Sequence, residues 1–112
     1  MLKPTIPFSD FTKLDLRVGL IKNAEEIAQS DKLVRMTVDL GEEVGTRRIL
    51  AGVKQFFTTK DLTGKLIVVL VNLEYRKMMG EESQGMLLAA DVEGKPILLK
   101  PSKKVKPGTI IK

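Results

Sequence analysis

The sequence predicts an all-β fold: a five-stranded barrel with one short helix between strands three and four, an N-terminal helical turn and extra C-terminal strands. Three observations lead there. Apolar residues recur at every second position in several short runs, which is the strand period. Gly, Pro and polar clusters punctuate those runs at short intervals. Midway along the chain, a helix-capping signal falls between two strand-like runs.

Each element follows from its own residues. Ser9-Asp10-Phe11-Thr12-Lys13-Leu14 reads as a short helix with Ser9 or Asp10 as N-cap, entered through Pro7 and Phe8. Leu16 to Ile27 is the first strand, with Leu16, Val18 and Leu20 alternating; Gly19 marks a bulge or a close approach. Leu33 to Leu40 puts Val34, Met36, Val38 and Leu40 on one face and Arg35, Thr37 and Asp39 on the other. Gly41 to Gly45 is a turn, Thr46 to Ala51 the third strand, and Gly52 its end. Thr58 or Thr59 caps one helical turn through Lys60-Asp61-Leu62, stopped by Gly64. Leu66 to Val71 is β-branched and continuously apolar, so it is a central buried strand. Asn72 to Gly85 reads as a polar, flexible loop, and Met86 to Ala90 as another apolar strand. Glu93-Gly94 turns the chain into Pro96 to Leu99, and Thr109-Ile110-Ile111 is a last short strand. The phenylalanines read as core or cap residues.

Composition narrows the function. The 112 residues suit one domain spanning 1–112, and 43% hydrophobic with 29% charged residues is a globular composition. There is no cysteine and no histidine, which removes the usual zinc sites, disulfides, histidine bases and Ser-His or Cys-His dyads. The expectation is therefore no metal, no cofactor and no catalysis. No run approaches the ~20 apolar residues of a membrane span, so no membrane partner is expected. The opening Met1-Leu2-Lys3-Pro4-Thr5-Ile6-Pro7 carries too short an apolar run for a signal peptide, and a cysteine-free chain fits the cytoplasm. A net charge of +5 points to a polyanionic partner.

Several residues are candidates for that contact. Lys95, Lys100, Lys103, Lys104, Lys106 and Lys112 form a C-terminal stretch without acids, either a phosphate-tracking surface or a solvated tail. Gly80 and Gly85 have phosphate-loop spacing, but the Lys-Ser/Thr that should follow is missing and Glu81-Glu82 would repel phosphates, so nucleotide binding is rejected. The same segment can still present Ser83, Gln84 and backbone amides. Arg76-Lys77-Met78-Met79 sets two cations beside flexible apolar side chains, suited to a nucleic-acid backbone and a base or sugar. Lys32 and Arg35 flank the start of the second strand, beside the usual binding face of such a barrel. The pairs Glu25/Glu26, Glu42/Glu43 and Glu81/Glu82 read as solvated charge. Positive charge with few rings, of which only Tyr75 lies near a candidate loop, favours a structured RNA over extended single strands.

Three segments resemble one family. They are Asp10 to Gly19; Asp31-Lys32-Leu33 with Val38-Asp39-Leu40-Gly41; and Asn72-Leu73 with Lys77-Met78-Met79-Gly80 and Ser83 to Ala90. Arg48 to Gly52 and Gly64-Lys65 fit the intervals. The chain is similar throughout to the structure-specific tRNA-binding domain, found free-standing and as the C-terminal appendix of methionyl-tRNA synthetases. The resemblance implies an OB fold, a homodimer, and recognition of the outer corner of folded tRNA. By position it implies Lys32, Ser83 and Met86 as tRNA contacts; charge and location add Arg35, Asn72 and Lys77. Two departures are Ala28-Gln29-Ser30 where the family often has His-Pro, and Tyr75 where it often has Pro. The rival reading is a peptide-binding, export-related chaperone of the same fold.

Overall fold

The structure is a computed structural model describing residues 1–112. In chain order it comprises α1 (Phe8–Phe11), β1 (Leu16–Glu26), β2 (Val34–Asp39), α2 (Gly41–Val44), β3 (Thr46–Ala51), α3 (Thr59–Leu62) and β4 (Leu66–Leu70). There follow β5 (Arg76–Met78), β6 (Glu81–Ser83), β7 (Met86–Leu87), β8 (Ala89–Val92), β9 (Lys95–Leu98) and β10 (Ile110–Ile111). The main sheet runs β3-β2-β1-β4-β7, every pair antiparallel, with β10 added to β1. It curls into a nearly closed five-stranded barrel with α3 between its third and fourth strands, as the sequence predicts.

β1 makes the curl possible. Its first half pairs with β4, from Leu16 opposite Leu70 to Leu20 opposite Leu66. Its second half pairs with β2, from Leu20 opposite Asp39 to Glu26 opposite Val34. The register shifts between Ile21 and Asn23, leaving Lys22 as the extra residue. Such a bulge sharpens the local twist and bends the strand. Gly19 is therefore the close approach and not the bulge. A Cβ there would stand 2.6 Å from Val38 Cγ1 and 3.0 Å from Leu40 Cδ2.

The alternation in β2 holds: Val34, Met36 and Val38 are fully buried, while Arg35, Thr37 and Asp39 are half-buried. Ile21, Ile49, Ile67, Val69 and Leu62 complete the interior. Leu62 is the only buried residue of α3. Burying it is worth roughly 1.5–3 kcal/mol, which holds the helical turn against the barrel end. Thr58 caps that turn: its hydroxyl accepts from Asp61 N–H at 3.0 Å, and Asp61's carboxylate accepts from Thr58 N–H at 3.3 Å. These bonds hold the Asp61 carboxyl below its ordinary pKa.

Several local expectations are corrected. α1 begins at Phe8 with Pro7 as N-cap and no side-chain cap. Both Ser9 and Asp10 lie inside the turn, where the Ser9 carbonyl accepts from the Thr12 hydroxyl and the Asp10 carboxylate accepts from the Lys13 ammonium. Gly41 to Gly45 contains a helical turn, α2, tied down by Arg17 of β1. Arg17 is buried and pairs with Asp15 at 2.8 Å and Glu43 at 2.6 Å. The segment 72–85 is not an open loop, because β5 and β6 form a hairpin within it. Met86 to Ala90 is two strands: β7 stays on the barrel, and β8 leaves it to pair with β9. Only Phe57 among the phenylalanines packs on the core. Phe8 is 77% exposed, and Phe11 and Phe56 are also open to solvent, since their elements run outside the barrel.

Gly19→Ala should destabilise the protein by about 1–3 kcal/mol, because its methyl group must displace packed Val38 and Leu40. Gly52→Ala, whose Cβ meets nothing within 4 Å, is the control. A urea midpoint for Gly19→Ala no lower than the control's would mean that β1 and β2 separate freely.

Candidate nucleic-acid interface

The candidate face is built on the β5–β6 hairpin. Met79 and Gly80 form its two-residue turn, both with positive φ (51° and 79°), the pattern of a type I′ turn that matches strand twist. Arg76 faces Ser83, Lys77 faces Glu82 and Met78 faces Glu81. Free in solution, so short a hairpin would barely persist. Here the barrel holds it at four points.

The first is Arg35 of β2, whose guanidinium forks onto Glu81 at 2.7 and 2.6 Å. The second is Arg48 of β3, which donates from Nε to the Glu82 carbonyl at 2.9 Å. The third is Ser83, 3% exposed, which accepts from Leu50 N–H at 3.0 Å and donates to the Gly85 carbonyl at 2.9 Å. The fourth is Gln84: its side-chain oxygen accepts from Arg48 N–H and its N–H donates to the Arg48 carbonyl, both at 2.8 Å. Ser83 and Gln84 thus occupy the free edge of β3 where a ladder strand would otherwise lie.

The six sequence-predicted residues fall into three environments. Arg35 and Ser83 are engaged within the protein, in the bonds just described. Lys77 is exposed on the hairpin, and Met86, at the start of β7, is 38% exposed. Lys32 is exposed just before β2, in a loop shaped by Ser30. Ser30 Oγ accepts from Lys32 N–H at 3.2 Å and Leu33 N–H at 3.0 Å, and its carbonyl accepts from Lys54 Nζ at 2.7 Å. The departure from the family pattern at Ser30 therefore still yields a pinned loop. Asn72 accepts from Asp15 N–H at 2.8 Å and donates to the Lys13 carbonyl at 2.6 Å. It staples the segment after α1 to the end of β4. Lys32, Arg35, Lys77 and Ser83 are linked through β2 and the hairpin. Asn72 and Met86 lie at the far end of β4, where Leu70 pairs with Met86.

Arg47 bridges that end and is not singled out by sequence. Its Nη1 donates to the carbonyls of Val71 at 3.0 Å and Gln84 at 2.9 Å, and its guanidinium lies 5.8 Å from the Tyr75 ring centre. Arg48 is also missed as a contact, whereas Arg76, read with Lys77 as a cation suited to a nucleic-acid backbone, is exposed on the hairpin. The usable signal was a pair of arginines on β3, whose outward direction depends on the barrel. The acid pairs, read as solvated charge, also serve the arginines. One member of each is an ion-pair partner: Glu25 and Glu81 of Arg35, Glu43 of Arg17. Arg35 holds the Glu81 carboxyl below the usual 4.5. No group of three or more His, Cys, Asp or Glu side chains is placed to hold a metal ion.

A family model described as "Putative tRNA binding domain" matches residues 16–110. Over 107 residues, 96% of this chain, the sequence is 47% identical to a methionine–tRNA ligase of Archaeoglobus fulgidus, of which it spans 16%. Over 106 residues, 95% of this chain, it is 51% identical to the corresponding ligase of Methanothrix thermoacetophila, of which it spans 15%. A MetRS-related protein from Pyrococcus horikoshii superposes with a TM-score of 0.90 at 34% identity, covering 98% of this chain and all of that one. The chaperone CsaA of Bacillus anthracis superposes at 0.87 and 31% identity, covering 97% and 100%.

Two outcomes are expected at this face. Ser83→Ala should cost about 1–3 kcal/mol of stability with no RNA present, because it leaves the buried Leu50 N–H without an acceptor; an unchanged denaturation midpoint would refute the closure role. Glu81, followed by NMR, should titrate below 4.5 together with the hairpin amides. Its depressed pKa means that the ion pair's contribution is complete above 4.5 and fades as pH falls through the lower folded value. Titration at or above 4.5 would show the pair open in solution.

Proposed function

The chain belongs to the tRNA-binding domain family, and from that premise we propose that it binds folded tRNA and catalyses no reaction itself. One observation carries the reading. The β5–β6 hairpin is fastened to the barrel through Arg35, Ser83 and Gln84, yet it leaves Arg76 and Lys77 exposed and outside every ion pair. Lys32, in its pinned loop, and half-exposed Met86 extend the surface. Cations held on a rigid support suit the phosphate contour of an RNA that is already folded. Tyr75 is the one exposed ring on this face, too few for a path of stacked bases.

The proposal includes a homodimer. The β8–β9 hairpin pairs with no other strand, and it presents exposed Val92 and Ile97, with Leu99 just beyond. A lone two-stranded hairpin is marginal in water, and a second copy would cover its apolar residues. Two modest RNA sites joined in this way gain avidity when both reach one tRNA. In the cytoplasm the chain would serve as a tRNA chaperone or raise the tRNA affinity of a methionyl-tRNA synthetase. The similarity to CsaA supports a second reading, a peptide-binding, export-related chaperone. Competition between tRNA and an unfolded preprotein separates the two, since displacement of a tightly held preprotein by tRNA alone is expected only if RNA is the preferred ligand.

Binding to tRNA should weaken steeply with salt and exceed binding to unstructured RNA of equal length in a gel-shift series. Equal binding to both RNAs would reject structure-specific recognition. Lys77→Ala should weaken all tRNA species alike and flatten the log–log salt slope by about 0.7–0.9. An unaltered slope would remove Lys77 from the interface. Light scattering should give twice the chain mass.

A further inference from the structure

The lysines after β9 have no part in the face described above. Lys100, Lys103 and Lys104 do not trail into solvent. With Lys65, from the turn between α3 and β4, they line a cavity of about 570 Å³. Its apolar wall includes Phe57 and Leu98, both packed against the core, and exposed Ile97, so the cavity borders the β8–β9 face assigned above to a second copy. Lys65 Nζ lies 5.8 Å from the Phe57 ring centre.

The charge here is one-sided. No acid lines the cavity. The ion pairs of the protein are made by Lys13, Arg17 and Arg35, so none of these four ammonium groups has a carboxylate partner. The acid that senses Lys65 is Asp61, whose carboxylate is taken by the Thr58 N–H. Four cations gathered at one concavity repel one another, and a bound anion relieves that repulsion. The volume lies within the roughly 300–1,000 Å³ of ordinary ligand pockets. A ring and an aliphatic wall beside the cations suit an anion that carries a flat group next to its charge. A nucleotide unit has that form: phosphate for the lysines, base or ribose for Phe57. Acidic peptides offer charge without the adjacent ring.

We propose that this cavity is a second RNA-backbone site, which takes a phosphate with its neighbouring base or ribose and is separate from the hairpin face. The inference rests on the RNA-binding reading given above. The two sites share no residue. β4 holds them apart: Leu66 lines the cavity, Leu70 pairs with Met86, and the strand between spans about 13 Å at ~3.3 Å per residue. One RNA touching both would be read across the barrel and not at a single loop.

The test uses the whole chain and a triple variant, Lys100→Gln with Lys103→Gln and Lys104→Gln, all at exposed positions. Both proteins are titrated with tRNA at rising salt, and light scattering compares their oligomeric states. The variant's log–log slope should be shallower by about 2 to 3, since each lost phosphate contact removes about 0.7–0.9. In parallel, adenylyl-adenosine with a terminal phosphate is added to isotope-labelled wild type. Amide shifts are expected at Phe57, Lys65 and the 100–104 segment. An unchanged slope overturns the proposal, whether or not the dinucleotide shifts appear. So does a glutamate oligopeptide that moves these amides when the dinucleotide does not. Should the variant change its oligomeric state, the dinucleotide shifts decide alone. Failure of the RNA-binding reading is distinguishable: wild type would then ignore tRNA. Dinucleotide shifts in that case leave a free nucleotide-phosphate site, and their absence ends both ideas.

Discussion

Closure of the barrel between β3 and the chain at residues 83–87 is the constraint on which the rest depends. β3 is an edge strand of the main sheet, and an open edge exposes unpaired amides and carbonyls. β7 is too short to cover it by a ladder. Ser83 and Gln84 cover it instead, meeting the N–H groups of Leu50 and Arg48 and the Arg48 carbonyl. Gly85 lets this segment approach closely, with its Cβ position only 3.0 Å from the Leu70 carbonyl oxygen. Closing the edge this way also fixes the hairpin that precedes it, so the support of the hairpin and the integrity of the barrel share the same hydrogen bonds.

The two kinds of cation divide the work. Arginines are largely internal fasteners: Arg17 joins β1 to α2, Arg35 joins β2 to the hairpin, and Arg47 joins the end of β4 to Gln84. A planar guanidinium can hold several acceptors at once in fixed directions. Outside the Lys13 and Lys54 contacts, the lysine ammonium groups make no hydrogen bond or ion pair within the protein, and Lys65 meets only the Phe57 ring. The net charge of +5 is thus expressed mainly through lysine. Lysine is a compact, mobile point charge, suited to phosphate contacts that follow shape more than sequence.

The apolar surface has a different logic. The interior is filled mainly by strands β1 to β4 with Leu62; of the extra elements α1, β8, β9 and β10, only β9 reaches it, through Leu98. Those elements carry exposed Phe8, Val92, Ile97 and Ile110, more than the barrel itself can bury. The barrel therefore accounts for the buried core, and the appended elements carry the apolar side chains that it leaves open to solvent.

Much of the fold was legible in the sequence because strand periodicity is local. Val34, Met36, Val38 and Leu40 declared their buried face at a spacing of two, the β-branched run after Lys65 declared a central strand, and a capping threonine at 58 or 59 with Gly64 as a stop declared the helical turn. Lys32, Lys77 and Met86 were legible as candidates, since charge and flexible apolar side chains on loops are visible without a fold. Tertiary structure alone decided what Arg35, Ser83 and Asn72 touch. Their partners lie 46, 33 and 57 residues away, and no local pattern encodes such a pairing. It likewise turned an apparent loop into a hairpin, because strands this short persist only where a barrel edge supplies their bonds. And it gathered Lys65 with Lys100, Lys103 and Lys104 around one cavity, a convergence set by how the chain returns and not by its order.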